Sequence, residues 1–201
     1  LINDHKFEDN FVKAVYDTCV AAGVDYVEIG YKGSKKIFSR DKAGSWKFCD
    51  EDDLRRIVGE KSPNVKISVM ADAEKTDYKE DILPRDKSVV DCVRVACYIN
   101  QIPMAVDMIN DAADKGYETM LQLMAVSTIK EHDIDEALEI AARTPVHGVY
   151  LVDSFGSLYS EQVRDLTYIT YPFTFSQNVV KASMGGSIVQ DDVQKTLSLK
   201  N

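Results

Sequence analysis

The chain repeats one pattern: an apolar, β-rich run that stops abruptly at a polar residue or glycine. The clearest case is Gly148-Val149-Tyr150-Leu151-Val152-Asp153-Ser154-Phe155-Gly156-Ser157, where a hydrophobic strand gives way to an acid, a hydroxyl and two glycines. The same order occurs in Tyr26-Val27-Glu28-Ile29-Gly30-Tyr31, in Ile67-Ser68-Val69-Met70-Ala71-Asp72 and in Leu121-Gln122-Leu123-Met124-Ala125-Val126-Ser127. In a parallel α/β protein both faces of a strand are covered, so it reads as a near-continuous apolar run. The polar groups at its carboxyl end then fall where such folds place their ligands.

Strands are expected at residues 25–30, 65–71, 91–97, 118–125 and 147–153. Helical spacing separates them. Phe11, Val12, Val15, Cys19 and Ala22 repeat on one stripe of residues 9–22, with Gly23 as C-cap. Asp50 and Asp53 open a short helix through Leu54, Ile57 and Val58. Ile102, Ala105, Val106, Ile109 and Ala113 face inward over 101–115, before Gly116. Asp133 and Glu136 have capping-box spacing ahead of Ile134, Ala137, Leu138 and Ala141, and a short helix follows from Ser160 to Leu166. The roughly 20-residue polar loop after the first strand exceeds an ordinary βα connection and marks a functional segment.

Strands alternating with helices define βα units and a parallel sheet. Right-handed crossovers leave a closed (β/α)8 barrel or an open doubly wound sheet. No GxGxxG follows the first strand, so the barrel is the better reading. The 201 residues are read as a single barrel domain. Residues 1–166 carry clear βα units, and 167–201 are left without an element. A barrel usually takes about 250 residues, so this one is expected to be short or incomplete. The aromatic run Tyr168, Tyr171, Phe173 and Phe175 is a candidate cover for a homo-oligomer interface.

A net charge of −9 argues against nucleic acid and against an anionic membrane surface, both of which need clustered cations. No apolar run approaches the roughly 18 residues of a spanning helix, and the amino terminus lacks the basic and apolar parts of a signal peptide. Cys19, Cys49, Cys92 and Cys97 form no CxxC pair and read as small buried hydrophobes of a reducing compartment, hence the cytoplasm.

Several residues stand out on chemistry. Glu28 ends a buried strand, where a carboxylate needs a partner. Arg94 interrupts an apolar strand and needs an anion, either a substrate carboxylate or Glu28, unless the pair is purely structural. Asp72, Ser127, Asp153 and Ser154 end strands as a candidate substrate-binding group, although each could instead cap a turn. Lys32 or Lys35 could in principle form a Schiff base, and the surrounding Gly30–Lys36 loop could hold an anion. His147 begins a strand at the opposite rim, and His132 reads as surface.

From about Asn3 to Arg164 the sequence resembles the metal-dependent aldolase superfamily that includes hydroxymethylglutaryl-CoA lyase, isopropylmalate and homocitrate synthases, and 4-hydroxy-2-oxovalerate aldolase. It looks most like the last branch. The resemblance is carried by Gly23-Val24-Asp25-Tyr26-Val27-Glu28-Ile29-Gly30, Lys66-Ile67-Ser68-Val69-Met70-Ala71-Asp72, Val93-Arg94-Val95-Ala96 and Val152-Asp153-Ser154-Phe155-Gly156. It implies a (β/α)8 barrel, a divalent ion such as Mg2+ or Mn2+, and cleavage or formation of a carbon–carbon bond in a small 2-oxo acid. A functional glutamate is implied at Glu28, and Glu28, Arg94 and His5 become the candidate catalytic residues. His5 or Glu28 would be the general base. The family's T-L-R-D-G motif would fall just before Leu1, and its H-x-H-x-N motif is not found in these residues. The metal ligands themselves are therefore unknown. Either they lie outside this sequence, or the chain is a catalytically silent barrel that binds a small acid or a partner protein.

Overall fold

The computed structural model describes residues 2–170, 179–184 and 187–188. The strands are β1 (Tyr26–Tyr31), β2 (Lys66–Asp72), β3 (Cys92–Cys97), β4 (Glu118–Met124), β5 (Gly148–Asp153), β6 (Val179–Met184) and the short β7 (Ser187–Ile188). The helices are α1 (Asp9–Ala22), α2 (Glu51–Val58), α3 (Ile102–Asp114), α4 (Glu131–Ala141) and α5 (Ser160–Thr170). The strands lie in sequence order in one sheet, β1 to β6 parallel and β7 antiparallel to β6. A doubly wound sheet would reverse its strand order at a switch point. Among the described residues none occurs, which is the strand order a barrel requires. Among the described residues β1 and β7 stand at opposite edges of the sheet.

All five expected strands are present, each within a residue or two of its expected limits. Part of the stretch left unassigned forms β6 and β7, while Tyr171, Phe173 and Phe175 lie outside the described residues. Strand alternation separates two sheet faces. Val27, Ile67, Val69, Val93, Val95, Leu121, Leu123, Val149 and Leu151 are at most 6% exposed and pack with Leu54, Ile57, Ile109, Ile134 and Leu138 of the helices. The alternate positions carry Tyr26, Glu28, Lys66, Ser68, Arg94, Glu118, Gln122 and Tyr150, interspersed with Met70, Cys92, Ala96 and Met120. The strands are thus not apolar on both faces: one face is mixed, with polar side chains cross-linked across it.

Helix α1 has the expected limits, and Gly23 closes it at φ 67° with its N–H on the last turn's carbonyls. Its buried face differs from the expected one. Tyr16 is 3% exposed, with Val12, Cys19 and Val20 packed against the core, whereas Phe11 is 57% and Val15 44% exposed. Those two side chains and Phe7 line a cleft of about 360 Å3 along β1. Helix α4 begins at Glu131, two residues before the expected cap. Asp133 lies inside its first turn, with its N–H on the Lys130 carbonyl at 3.0 Å.

The long segment after β1 is not a solvated loop. Trp46, Phe48 and Cys49 are at most 2% exposed, and Trp46 Nε1 donates to the Phe7 carbonyl at 3.0 Å. The backbone is pinned where Lys32 N–H meets the Met70 carbonyl, Gly33 N–H the Lys47 carbonyl and Ser34 N–H the Lys75 carbonyl, each at 2.8 Å. A short 3-10 helix, Ser45–Lys47, is thereby pressed onto the carboxyl end of β1.

Candidate active site

Arg94 organises the centre of the polar face. Its Nη1 donates to Glu28 Oε2 at 2.7 Å, reaching from β3 over β2 to β1. Nη2 donates to the Gln122 side-chain oxygen on β4, and the guanidinium lies 4.6 Å from the Tyr150 ring centroid on β5. Nε is enclosed without a hydrogen-bond partner. Ser68 Oγ donates to Glu28 at 3.4 Å. Of the two partners considered for Arg94, Glu28 is the one present. The Glu28 side chain keeps 28% of its area exposed. Burial of its carboxyl among the face residues still raises its pKa above the ordinary value, against the pull of Arg94 and Ser68.

Above this pair, at the carboxyl ends of β1 and β2, stand Tyr31, Asp72, Lys47, Lys75 and His5. Gly30 lets the layer close, since a Cβ there would lie 2.2 Å from the Trp46 carbonyl oxygen. The His5 ring meets Tyr31 edge-on at 5.0 Å, and among the described residues its enclosed Nε2 has no hydrogen-bond partner. Burial lowers the His5 pKa, and the Lys47 charge lowers it further, so the imidazole is neutral near pH 7. Burial raises the Tyr31 hydroxyl, helped by Asp72 and Glu28 and opposed by Arg94. Lys47 is 6% exposed, and its ammonium sits 4.5 Å from the Tyr31 ring centroid and 4.3 Å from that of Phe38. Burial lowers its pKa; Asp72 opposes that shift and Lys75 adds to it. The sequence reading missed Lys47, Tyr31 and Lys75. The available signal was a lysine set between Trp46 and Phe48.

The candidates on β4 and β5 form a separate cluster at the same rim. Ser127 Oγ donates to Asp153 Oδ1 at 2.9 Å, Leu158 N–H to Oδ2 at 2.8 Å and Phe155 N–H to Oδ1 at 3.4 Å. Ser154 Oγ accepts the Ala125 N–H at 2.9 Å. Asp153 is 1% exposed, covered by its own loop. Burial pushes its carboxyl up, but the bonds from Leu158, Ser127, Phe155 and Ser157 outweigh it, and the pKa is lowered. Among the described residues no side-chain hydrogen bond or ion pair joins this cluster to Glu28 and Arg94. Lys32 Nζ donates to the Cys49 carbonyl at 2.7 Å and lies 3.5 Å from Glu51, and Lys35 pairs with Asp50 at 2.8 Å. Both amines considered for a Schiff base are therefore engaged. His147 Nδ1 accepts the Thr119 N–H at 3.2 Å at the opposite rim, and His132 is exposed.

The implied divalent ion finds no ready site among the described residues, where no three His, Cys, Asp or Glu side chains come together to hold a metal. The central carboxylate, Glu28, is bound to Arg94. The described residues alone do not fit the ion. None of the described helices is long and apolar enough to cross a membrane.

The described sheet runs in sequence order and carries ionisable groups on one face and at the carboxyl rim of its parallel strands. Among known proteins the chain is similar to 4-hydroxy-2-oxovalerate aldolases, as its motifs implied. It is 27% identical over 165 residues to 4-hydroxy-2-oxovalerate aldolase 3 of Rhodococcus opacus (strain B4), covering 80% of this chain and 47% of that one. The 4-hydroxy-2-oxovalerate aldolase of Mycolicibacterium paratuberculosis is also 27% identical, with 80% and 45% covered. The chain spans about half the length of the curated relatives it matches. No family model matches. The fold is that of the N-terminal domain of a Bacteroides vulgatus protein described as an aldolase (TM-score 0.66, 20% identity, 88% of this chain and 57% of that one). It is equally that of the carboxyl transferase domain of Rhizobium etli pyruvate carboxylase (TM-score 0.66, 11% identity, 90% and 32% covered).

Proposed function

We propose that the chain belongs to a closed (β/α)8 barrel enzyme, an aldolase or lyase that breaks or forms a carbon–carbon bond beside the carbonyl of a small 2-oxo acid. The observation that carries this reading is the meeting of His5, Tyr31, Asp72 and Lys47 at the carboxyl rim, above the Glu28–Arg94 pair. The likeness to 4-hydroxy-2-oxovalerate aldolases supports it.

In retro-aldol cleavage a base takes the proton of the hydroxyl β to the carbonyl. The carbon–carbon bond then breaks, and its electron pair remains as an enolate. His5 suits the base role better than Glu28, because its imidazole is neutral and among the described residues its Nε2 has no hydrogen-bond partner. Glu28 is held by Arg94 and fixes that guanidinium in place. Arg94 then acts on developing negative charge through its field, since both its Nη groups are engaged. The resemblance implies that Mg2+ or Mn2+ takes part. The free cysteines agree with a cytoplasmic enzyme.

The test is to supply the full-length gene product with 4-hydroxy-2-oxovalerate, with and without Mg2+ or Mn2+, and to follow pyruvate release. Release that falls strongly in His5→Gln is expected. No release from this or other 4-hydroxy-2-oxo acids under either condition would sink the proposal and favour a silent, acid-binding barrel.

A further inference from the structure

We propose that Lys47 is the anchor that receives the carboxylate of the substrate. This rests on the reading that the protein acts on a small 2-oxo acid. Such a substrate carries a fixed negative charge that a desolvated site must meet with a cation. Arg94 cannot supply it without breaking existing bonds, because its Nη donors go to Glu28 and Gln122 and its Nε is enclosed. Lys32 is engaged with Cys49 and Glu51, and Lys35 with Asp50. Lys75 is 53% exposed and 3.8 Å from Asp72.

Lys47 differs from all of these. It is 6% exposed as a residue, and among the described residues its ammonium makes neither a hydrogen bond nor an ion pair, while Nζ itself is not sealed from water. Its close neighbours are the faces of Tyr31 and Phe38, which stabilise a cation but leave its N–H groups without a lone pair in line. Gly33 makes room for this arrangement. A Cβ there would stand 3.0 Å from Lys47 Cε and 3.2 Å from the Phe38 ring. The protein therefore builds a slot that holds an ammonium without a bonded acceptor among the described residues, at the carboxyl end of a parallel sheet. A cation with so little water around it and no bonded acceptor gains from a bound anion. The groups facing the ammonium are Asp72, Lys75 and His5. His5 and Lys47 share Tyr31, both within 5.0 Å of its ring centroid. An acid held on Lys47 would thus lie beside the proposed base.

The same amine could instead attack the 2-oxo group, forming a C=N bond and releasing the carbonyl oxygen as water. One experiment separates the two chemistries. Pyruvate and oxalate are titrated into the full-length wild-type protein, Lys47→Met and Lys47→Arg, with Trp46 fluorescence or calorimetry as readout. A parallel sample with pyruvate is treated with borohydride and mapped by mass spectrometry. Lys47→Met is expected to fold with unchanged or raised Tm. It should bind both acids about tenfold more weakly or worse, the loss of a charge-assisted hydrogen bond. Lys47→Arg should recover part of the affinity, and borohydride should leave the Lys47 peptide unmodified. Equal binding by wild type and Lys47→Met, or a reduced pyruvate adduct on Lys47, overturns the anchor role. Failure of the wild type to bind either acid overturns the 2-oxo-acid reading itself.

Discussion

Arg94 and Glu28 sit on strands that are not neighbours, and their 2.7 Å ion pair passes over Ser68 on the strand between them. The pair therefore ties β1 to β3 across the polar face. Gln122 and Tyr150 extend the tie to β4 and β5. A guanidinium held on so many sides is a fixed positive centre. The ligand-facing roles then fall to groups at the rim, where among the described residues neither His5 Nε2 nor the Lys47 ammonium has a hydrogen-bond partner.

Removing one member of this pair leaves the other charge in a half-dry setting. Arg94→Met is expected to lower the unfolding free energy by about 2 kcal/mol, less than a fully buried pair because both side chains keep some water. Glu28→Gln combined with Arg94→Met should recover part of that loss, since neither charge is stranded. Urea unfolding of the single and double variants gives the coupling, and strict additivity would mean that the contact contributes nothing.

Glu28 also sets a pH dependence. Its folded pKa is raised, so the folded state holds its proton more tightly than the unfolded chain does. Its contribution is constant below the unfolded value near 4.5 and is lost as pH rises from there through the raised folded value. Glu28→Gln removes this loss. Relative to wild type, the variant should gain stability with rising pH in that window, and a pH-independent difference would contradict the shifted carboxyl.

Asp153 has the opposite sign. Its folded pKa is lowered, so its contribution is present above the unperturbed value of 3.8 and disappears as pH falls through the folded value. Asp153→Asn should cost about 1–2 kcal/mol at pH 7 through its bonds to Ser127 and the 155–158 backbone. Ser127→Ala should cost about 1 kcal/mol, and the double variant less than the sum. Denaturant titrations at pH 7 and pH 3 would show the Asp153→Asn penalty shrinking at the lower pH.

The strands were legible because each is an apolar run stopped by glycine or a polar residue, and α1 because Gly23 ends it. The face that α1 buries was not, since Phe11 and Val15 fit helical spacing as well as Val12 and Tyr16 do. Only the neighbouring β1 and α2 decide between those stripes. The Glu28–Arg94 pair could be anticipated, because charges inside apolar strands need each other. Lys47 could not. Its segment looked polar by composition, while its role comes from Trp46, Phe48 and Cys49 folding inward and carrying the lysine with them. The bonds among Ser127, Asp153 and Ser154 depend on how two loops meet, and spacing within either loop does not encode that.

Gly30 is where the rim is most sensitive to one added carbon. A Cβ at this position would fall 2.2 Å from the Trp46 carbonyl oxygen and 2.8 Å from Cys49 Sγ, and a backbone oxygen cannot swing aside as a side-chain end can. Gly30→Ala should therefore push the Ser45–Lys47 turn away from β1 at a cost of about 3 kcal/mol or more. Trp46, the only tryptophan in the chain, would become more exposed and emit at longer wavelength in the native state. The same displacement would move Lys47 off the Tyr31 ring, so acid binding should fall together with the fluorescence shift. Gly23→Ala is the control: its Cβ meets no atom within 4 Å, and its strain comes only from φ 67°. It should cost about 1 kcal/mol and leave Trp46 emission and acid binding unchanged. A red shift of equal size in both variants would mean that general loosening, rather than the Gly30–Trp46 contact, controls the rim.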